Sequence, residues 1–243
     1  MKKEAALIKS KRVTSVLVIG IYSPQDSSQE LEARSILQNE LGPEYDISCS
    51  HSVGQLGFIE RENASILNAS LRRFARQVIA GFQHAVRAIG AGNLYISLND
   101  GTLSRASNAA EMPVRCFSSG PTNSARGAAL LAGNWEQLSG NTDSEILVID
   151  VGGTTTDICA LLPTGYPRQT AAFARIAGVR TNFLMPYVHS IALGGGSIVR
   201  TALPGSLTIG PDSVGARLGV EAISFGGKTL TVGFSIPNSI ILD

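Results

Sequence analysis

Apolar residues fall in short unbroken runs separated by polar, glycine-rich turns, and one long segment instead repeats with a helical period. Val13 to Ile21 (VTSVLVIGI) predicts a buried strand. Tyr22 to Ser28, with Pro24 and Asp26, predicts a turn and helix cap. Leu31, Ile36, Leu37 and Leu41 sit at helical spacing within Gln29 to Leu41, and Gly42-Pro43 stops that helix. Tyr45 to Ser50 predicts a second strand, so the opening reads strand–helix–strand, the signature of a parallel sheet.

The periodic segment is Glu60 to Ala91. Ile66, Ser70, Phe74, Val78, Phe82, Val86 and Ile89 recur three or four apart, and Leu67 and Leu71 widen the stripe. Arg72, Arg73, Arg76 and Arg87 lie off most of it and predict a solvated face rather than a nucleic-acid surface. Gly90, Gly92 and Asn93 end the helix, placed over about 58–90. Leu94 to Leu98 predicts a strand running into Asn99-Asp100-Gly101, which is either a simple turn or, at the C-terminal end of a parallel strand, a ligand contact. The hydroxyl-rich Ser118 to Ser124, containing Ser119, Gly120 and Asn123, precedes an Ala/Gly-rich helix over Ala125 to Ala132. Such a loop either receives an anion or only caps the helix.

In the second half, Glu145 to Leu162 (EILVIDVGGTTTDICALL) places two apolar runs around a Gly/Thr turn and predicts a tight antiparallel hairpin. Its first run is apolar from Ile146 to Ile149, which predicts a strand covered on both faces. Val188 to Leu193 predicts a strand leading into Gly194-Gly195-Gly196-Ser197, then a helix-like start at Ile198 and Val199. Beyond Pro204 the pattern is irregular with short strands, and the closing IPNSIILD, apolar and uncapped, reads as cut off. The organisation expected is a strand–helix–strand lobe over 1–133 and a hairpin and glycine-triplet lobe over 134–243.

Composition narrows the class. With 243 residues, 16% of them charged, and a net charge of +1, the chain has ample core and no electrostatic footprint for nucleic acid. Cys49, Cys116 and Cys159 are too scattered for a disulfide framework or zinc knuckle and favour a reducing, cytoplasmic setting. MKKEAALIKSKR lacks an apolar core and is no signal peptide, and no run of apolar residues is long enough to span a membrane.

The candidate chemistry sits in the hairpin turn. Gly152 and Gly153 allow close backbone approach to an anion, successive N–H groups can form a nest, and Thr154, Thr155 and Thr156 add hydroxyls. Asp150 and Asp157 bracket the turn as candidate ligands of a hydrated Mg2+ beside phosphate oxygens. No lysine stands in the loop, and a strand rather than a helix follows, so neither a Walker loop nor a dinucleotide fingerprint fits.

A strand, D-x-G-G-T-x-T-D, then a strand resembles the phosphate hairpin of the actin-like ATPase superfamily. GIYSP (20–24), RENASILNASL (61–71), NDGTL (99–103), SSGPTNSARGAALLAG (118–133), DVGGTTTDI (150–158), GVRTNFLMP (178–186) and LGGGSI (193–198), in this order and spacing, resemble the A domain of the hydantoinase/oxoprolinase family. The resemblance implies an α/β, actin-like (ribonuclease H-like) mixed sheet flanked by helices, present as a partial copy of the two-lobed fold. It implies ATP and Mg2+ as cofactors, residues 150–157 as the second phosphate loop and Gly194 to Ser197 as the adenosine loop. The implied activity is ATP-dependent hydrolysis of a small cyclic amide of the hydantoin or 5-oxoproline type, through phosphorylation of a carbonyl oxygen. Asp150, Asp157 and His189 are the candidate catalytic groups. A ketone carboxylase subunit, a non-catalytic nucleotide-binding or regulatory member, and a sugar-kinase-like phosphotransferase are the alternatives.

Two departures stand out. No DxGGTFTD-type loop precedes residue 150, so half of the nucleotide clamp is missing from this chain, and an N-terminal domain or a hydantoinase B-type subunit is the expected partner. Where the family carries Asp-x-His before the glycine triplet, this chain reads Tyr187-Val188-His189, which argues against a metal there.

Overall fold

The computed structural model describes residues 2–11, 13–133, 145–170, 173–203 and 206–233. The chain divides into two units, 1–123 with 169–186, and 124–168 with 187–243. The expectations for Pro204 and for IPNSIILD lie outside the described residues.

In the first unit, α1 (Lys2–Ser10) precedes β1 (Ser15–Val18), α2 (Ser28–Leu41) and β2 (Asp46–Cys49). β1 and β2 pair in parallel from Ser15↔Asp46 to Val18↔Cys49, as the strand–helix–strand pattern predicts. Helix α1, unforeseen in the charged N-terminal stretch, buries Ala5 against Leu37, Leu41 and Ile47. The long helix α3 spans Phe58–Ala88. The strand before Asn99 is β3 (Tyr95–Ser97), and it pairs antiparallel with β4 (Leu103–Arg105). Asn99-Asp100-Gly101 is therefore a hairpin connection, not the end of a parallel strand. After α4 (Ala106–Glu111), a second core joins Val53, Ala64, Val114 and Phe183, flanked by Ile176 of the hairpin formed by β7 (Ala174–Ile176) and β8 (Val179–Thr181).

Helix α3 corrects the expected orientation. Its buried residues are Arg61, Ala64, Ser65, Asn68 and Arg72, whereas Ile66, Phe74, Phe82 and Ile89 of the apolar stripe are exposed. Arg72 is not on a solvated face. It lies 3.0 Å from Asp46 and also pairs with Glu111, which Arg76 binds through Nε at 2.8 Å. Small side chains at Ala64 and Ser65 let neighbouring chain come close, and the buried guanidinium groups, Arg72 paired with carboxylates and Arg61 with the Ser50 hydroxyl and the Gly20 carbonyl, then favour that face over the apolar one.

In the second unit, α5 (Ser119–Leu131, of which residues from 124 belong here) packs Ala125 and Ala129 on Cys159 and Leu161, beside Ile146, Val148 and Val188. The sheet runs β5–β6–β9, with β5 (Ile146–Val151), β6 (Thr156–Leu161) and β9 (Val188–Ile191) antiparallel throughout. Two expectations change here. β5 is not covered on both faces: Leu147, Ile149 and Val151 are 64%, 58% and 63% exposed, because α5 packs on the opposite face alone. Ile198 and Val199 start no helix. They belong to β10 (Ser197–Leu203), which forms a hairpin with β11 (Ser206–Ser213). β-branched residues at 198, 199 and 201 suit a pleated strand better than a helix.

Candidate functional site

The antiparallel register puts Asp150 directly opposite Asp157, on one face of the hairpin at its turn end. Strand alternation places Ile146 and Val148 on that face too, against α5. Asp157 accepts a hydrogen bond from the Ser190 hydroxyl. Asp150 is exposed and has no hydrogen-bond or ion-pair partner among the described residues. His189 is opposite Ile158 in the ladder, so it projects from the other face, away from both aspartates. The structure therefore joins the two acids and separates them from the histidine.

The turn is open. Gly152 to Thr155 are exposed, and nothing lies within 4 Å of a Cβ built on Gly153. The Gly152 N–H closes the turn on the Thr155 carbonyl at 2.8 Å. The N–H groups of Gly153, Thr154 and Thr155 have no acceptor among the described residues, and the Thr154 nitrogen lies beside the glycine triplet, 2.7 Å from a Cβ built on Gly194. Thr156 differs from its neighbours: it is buried and gives its hydroxyl to the Leu193 carbonyl at 2.6 Å.

The glycine triplet is committed to this turn. Gly195 N–H reaches the Gly152 carbonyl at 2.9 Å and Gly196 N–H the Gly153 carbonyl at 2.6 Å. A Cβ on Gly194 would sit 2.7 Å from the Gly152 oxygen, and one on Gly196 2.8 Å from the Gly153 oxygen. Ser197, 1% exposed, accepts the Gly194 N–H at 3.0 Å. What lies flat against the triplet is the hairpin backbone itself. The triplet buttresses the turn.

The other polar candidates belong to the first unit. Asn99 is 1% exposed and saturated: Nδ2 donates to the Val114 carbonyl at 2.7 Å, and Oδ1 accepts from Ser118 N–H at 2.9 Å. Asp100 accepts Thr102 N–H at 2.9 Å. Ser119 and Gly120 lie in the first turn of α5 rather than in a loop, because the helix starts six residues earlier than Ala125. Pro121 does not prevent this, since first-turn N–H groups have no intrahelical acceptor. Asn123 donates to the Ser97 hydroxyl at 2.8 Å.

Sequence reasoning missed a buried cluster in that unit. The Glu30 carboxylate accepts the Gly20 N–H at 2.7 Å, the Ser50 hydroxyl, and both the N–H and the ring Nδ1 of His51 at 3.0 and 2.6 Å. Burial pushes the Glu30 carboxyl up, but these hydrogen bonds outweigh it and hold the group below its usual value. Arg61, 1% exposed, braces the cluster through the Ser50 hydroxyl and the Gly20 carbonyl. The blocks GIYSP and RENASILNASL contribute Gly20 and Arg61, but the pairing of Glu30 with His51 had no spacing that would reveal it.

The family model described as hydantoinase/oxoprolinase matches residues 61–233. The chain belongs to the hydantoinase/oxoprolinase family. A curated relative, the caprolactamase subunit alpha of Pseudomonas jessenii, is 26% identical over 227 residues, covering 92% of this chain and 31% of the relative. The crystal structure of the ATP-dependent caprolactamase from the same organism superposes with a TM-score of 0.71 at 22% identity, over 94% of this chain and 32% of that one. A nucleotide-free acetone carboxylase, from work on ATP-dependent acetone carboxylation, gives a TM-score of 0.68 at 21% identity, over 95% and 32%. The family member thus spans about a third of the length of these relatives, and it has the corresponding part of their two-lobed, mixed α/β ATPase-like fold. Among the described residues, no helix is long and apolar enough to cross a membrane.

Proposed function

We propose that this chain forms the phosphate-binding part of an ATP-dependent enzyme that opens small cyclic amides. The observation that carries the reading is the open turn at Gly153-Thr154-Thr155, with unpaired N–H donors and the facing acids Asp150 and Asp157 at its base. The donor set fits a magnesium–phosphate group: hard carboxylate oxygens for the cation, and backbone N–H with threonine hydroxyls for the anion. Bound Mg2+ supplies charge neutralisation at the phosphates during phosphoryl transfer.

The chain's own residues divide the work. Gly152 and Gly153 keep the turn free of side chains, so that phosphate oxygens approach the N–H groups. Asp150 and Asp157 hold the cation, and Ser190 orients Asp157. Gly194 to Ser197 fix the turn from behind, so its donors are preorganised before ligand arrives. His189, on the other sheet face, takes no part in phosphate binding. A small cyclic amide as substrate follows the caprolactamase likeness, and a ketone as substrate follows the acetone carboxylase likeness.

The test is a thermal shift with Mg-ATP. Saturation about a hundredfold above Kd stabilises the folded chain by about 2.7 kcal/mol. No shift with any Mg-nucleotide overturns the reading. A second reading, a member that binds nucleotide but turns over only with further domains or a B-type subunit, is favoured by the span of 32% of each matched structure. ATP-dependent ring opening by this chain alone would remove it.

A further inference from the structure

The first unit contains a cavity of about 280 Å3 whose wall includes His51, Asp100 and Arg115 beside Val53, Leu98 and Phe183. That volume lies at the small end of small-molecule sites. His51 of its wall, with Glu30 and Cys49 behind it, brings three potential metal-ligand atoms within 4.8 Å of one another. A metal does not fit them. The Glu30 oxygens are filled by four hydrogen-bond donors, and burial raises the Cys49 thiol, keeping it protonated. The cluster is a carboxylate–imidazole pair instead.

Glu30 on Nδ1 at 2.6 Å fixes the ring orientation and, for the neutral imidazole, selects the tautomer whose Nε2 accepts hydrogen bonds. That Nε2 has no partner among the described residues. Arg115 reaches the Ser52 carbonyl at 3.4 Å and has no carboxylate partner among the described residues, unlike Arg72, Arg76, Arg168, Arg180, Arg200 and Arg217. One oxygen of Asp100 serves Thr102, while the other has no partner among the described residues. The wall thus offers one cation without a carboxylate partner among the described residues, two acceptors and an apolar strip.

We propose that this cavity binds a small zwitterion, an aliphatic amino acid whose ammonium group donates to His51 Nε2 and Asp100 and whose carboxylate pairs with Arg115. Val53, Leu98 and Phe183 take the methylenes between the charged ends. Glu30 is a positioning residue, acting through the imidazole. The inference stands on the first unit alone and does not depend on nucleotide binding.

The experiment titrates the full chain, without nucleotide, with glycine, β-alanine and γ-aminobutyrate, using butyrate and butylamine as singly charged controls, and follows the His51 imidazole by 15N NMR. At least one zwitterion should give a saturable shift, with the matching controls about tenfold weaker or more. Arg115→Gln, at an exposed position, should weaken the zwitterion about tenfold and leave butylamine unchanged. Glu30→Gln should alter the His51 tautomer signature and weaken binding together. Equal binding of zwitterion and controls, no movement of the His51 resonances with any probe, or no effect of Arg115→Gln overturns the proposal. A positive Mg-ATP shift alongside any of these would leave the phosphate-site reading intact.

Discussion

Gly196 donates its N–H to the Gly153 carbonyl at 2.6 Å, and a Cβ on Gly196 would sit 2.8 Å from that same oxygen. The contact couples two loops more than forty residues apart in sequence and leaves no room for any larger residue. Gly196→Ala should therefore destabilise the chain by about 1–3 kcal/mol, read as a fall in the urea midpoint with unchanged slope. Gly153→Ala, where nothing lies within 4 Å, should cost less than Gly196→Ala and act instead on nucleotide binding.

The facing acids predict a split between binding and stability. Asp150→Asn and Asp157→Asn should each abolish most of the Mg-ATP thermal shift while leaving the unliganded Tm nearly unchanged, since Asp150 holds no partner among the described residues and an amide oxygen at 157 can still accept the Ser190 hydroxyl. His189→Ala should leave the shift intact, because its ladder position opposite Ile158 turns it away from the aspartates. Loss of the shift in His189→Ala would overturn this assignment of faces.

On helix α3 the ion pairs predict an asymmetry between adjacent arginines. Arg72→Ala leaves Asp46 and Glu111 without a buried cationic partner and should cost about 3 kcal/mol, whereas exposed Arg73→Ala should stay within about 0.5 kcal/mol. Chemical denaturation of the two variants decides it. Equal effects would mean that the Arg72 network contributes nothing.

Acid sensitivity follows from Glu30 and Glu111. Hydrogen bonds from Arg76 lead in holding Glu111 below its usual value, and those from Ser50, His51 and Gly20 outweigh burial at Glu30. A carboxyl with a depressed folded-state value binds its proton more weakly in the native chain than in the unfolded one. The stabilisation is therefore complete above the usual value of 4.5 and is lost as pH falls through the lower folded-state values. Urea midpoints should hold from neutral pH to about 5 and then drop, and Glu30→Gln should flatten the drop. A midpoint independent of pH below 4.5 would contradict it.

The bare face of β5 gives the simplest check on the fold. Ile149, 58% exposed, should accept Ile149→Lys with a change within about 0.5 kcal/mol, whereas the same substitution at Leu161, 0% exposed, should prevent folding.

Much of this was legible in the residues. Runs of β-branched residues marked the strands of the hairpin, Gly42-Pro43 marked the end of α2, and the spacing of the motif blocks marked the family. These signals are local, set by backbone propensity and by turn chemistry that only glycine and proline supply. The Gly/Thr turn bracketed by two acids was legible too, whereas the register that sets Asp150 opposite Asp157 came from the structure.

Other features depended on what each element met in space. The apolar stripe of α3 looked like its buried face until Asp46 and Glu111 supplied carboxylates that drew Arg72 inward. The continuous apolar run of β5 looked doubly covered, yet a helix packs on one side only. Glu30 and His51 carry no shared motif, and only the parallel pairing of β1 with β2 brings them together. By itself the sequence determined the hairpin with its Gly/Thr turn, the strand–helix–strand opening and the family, since those rest on near-neighbour geometry. Which faces are buried, why the glycine triplet must be glycine, and where His189 points were decided by tertiary structure, because burial and charge pairing are properties of partners distant along the chain.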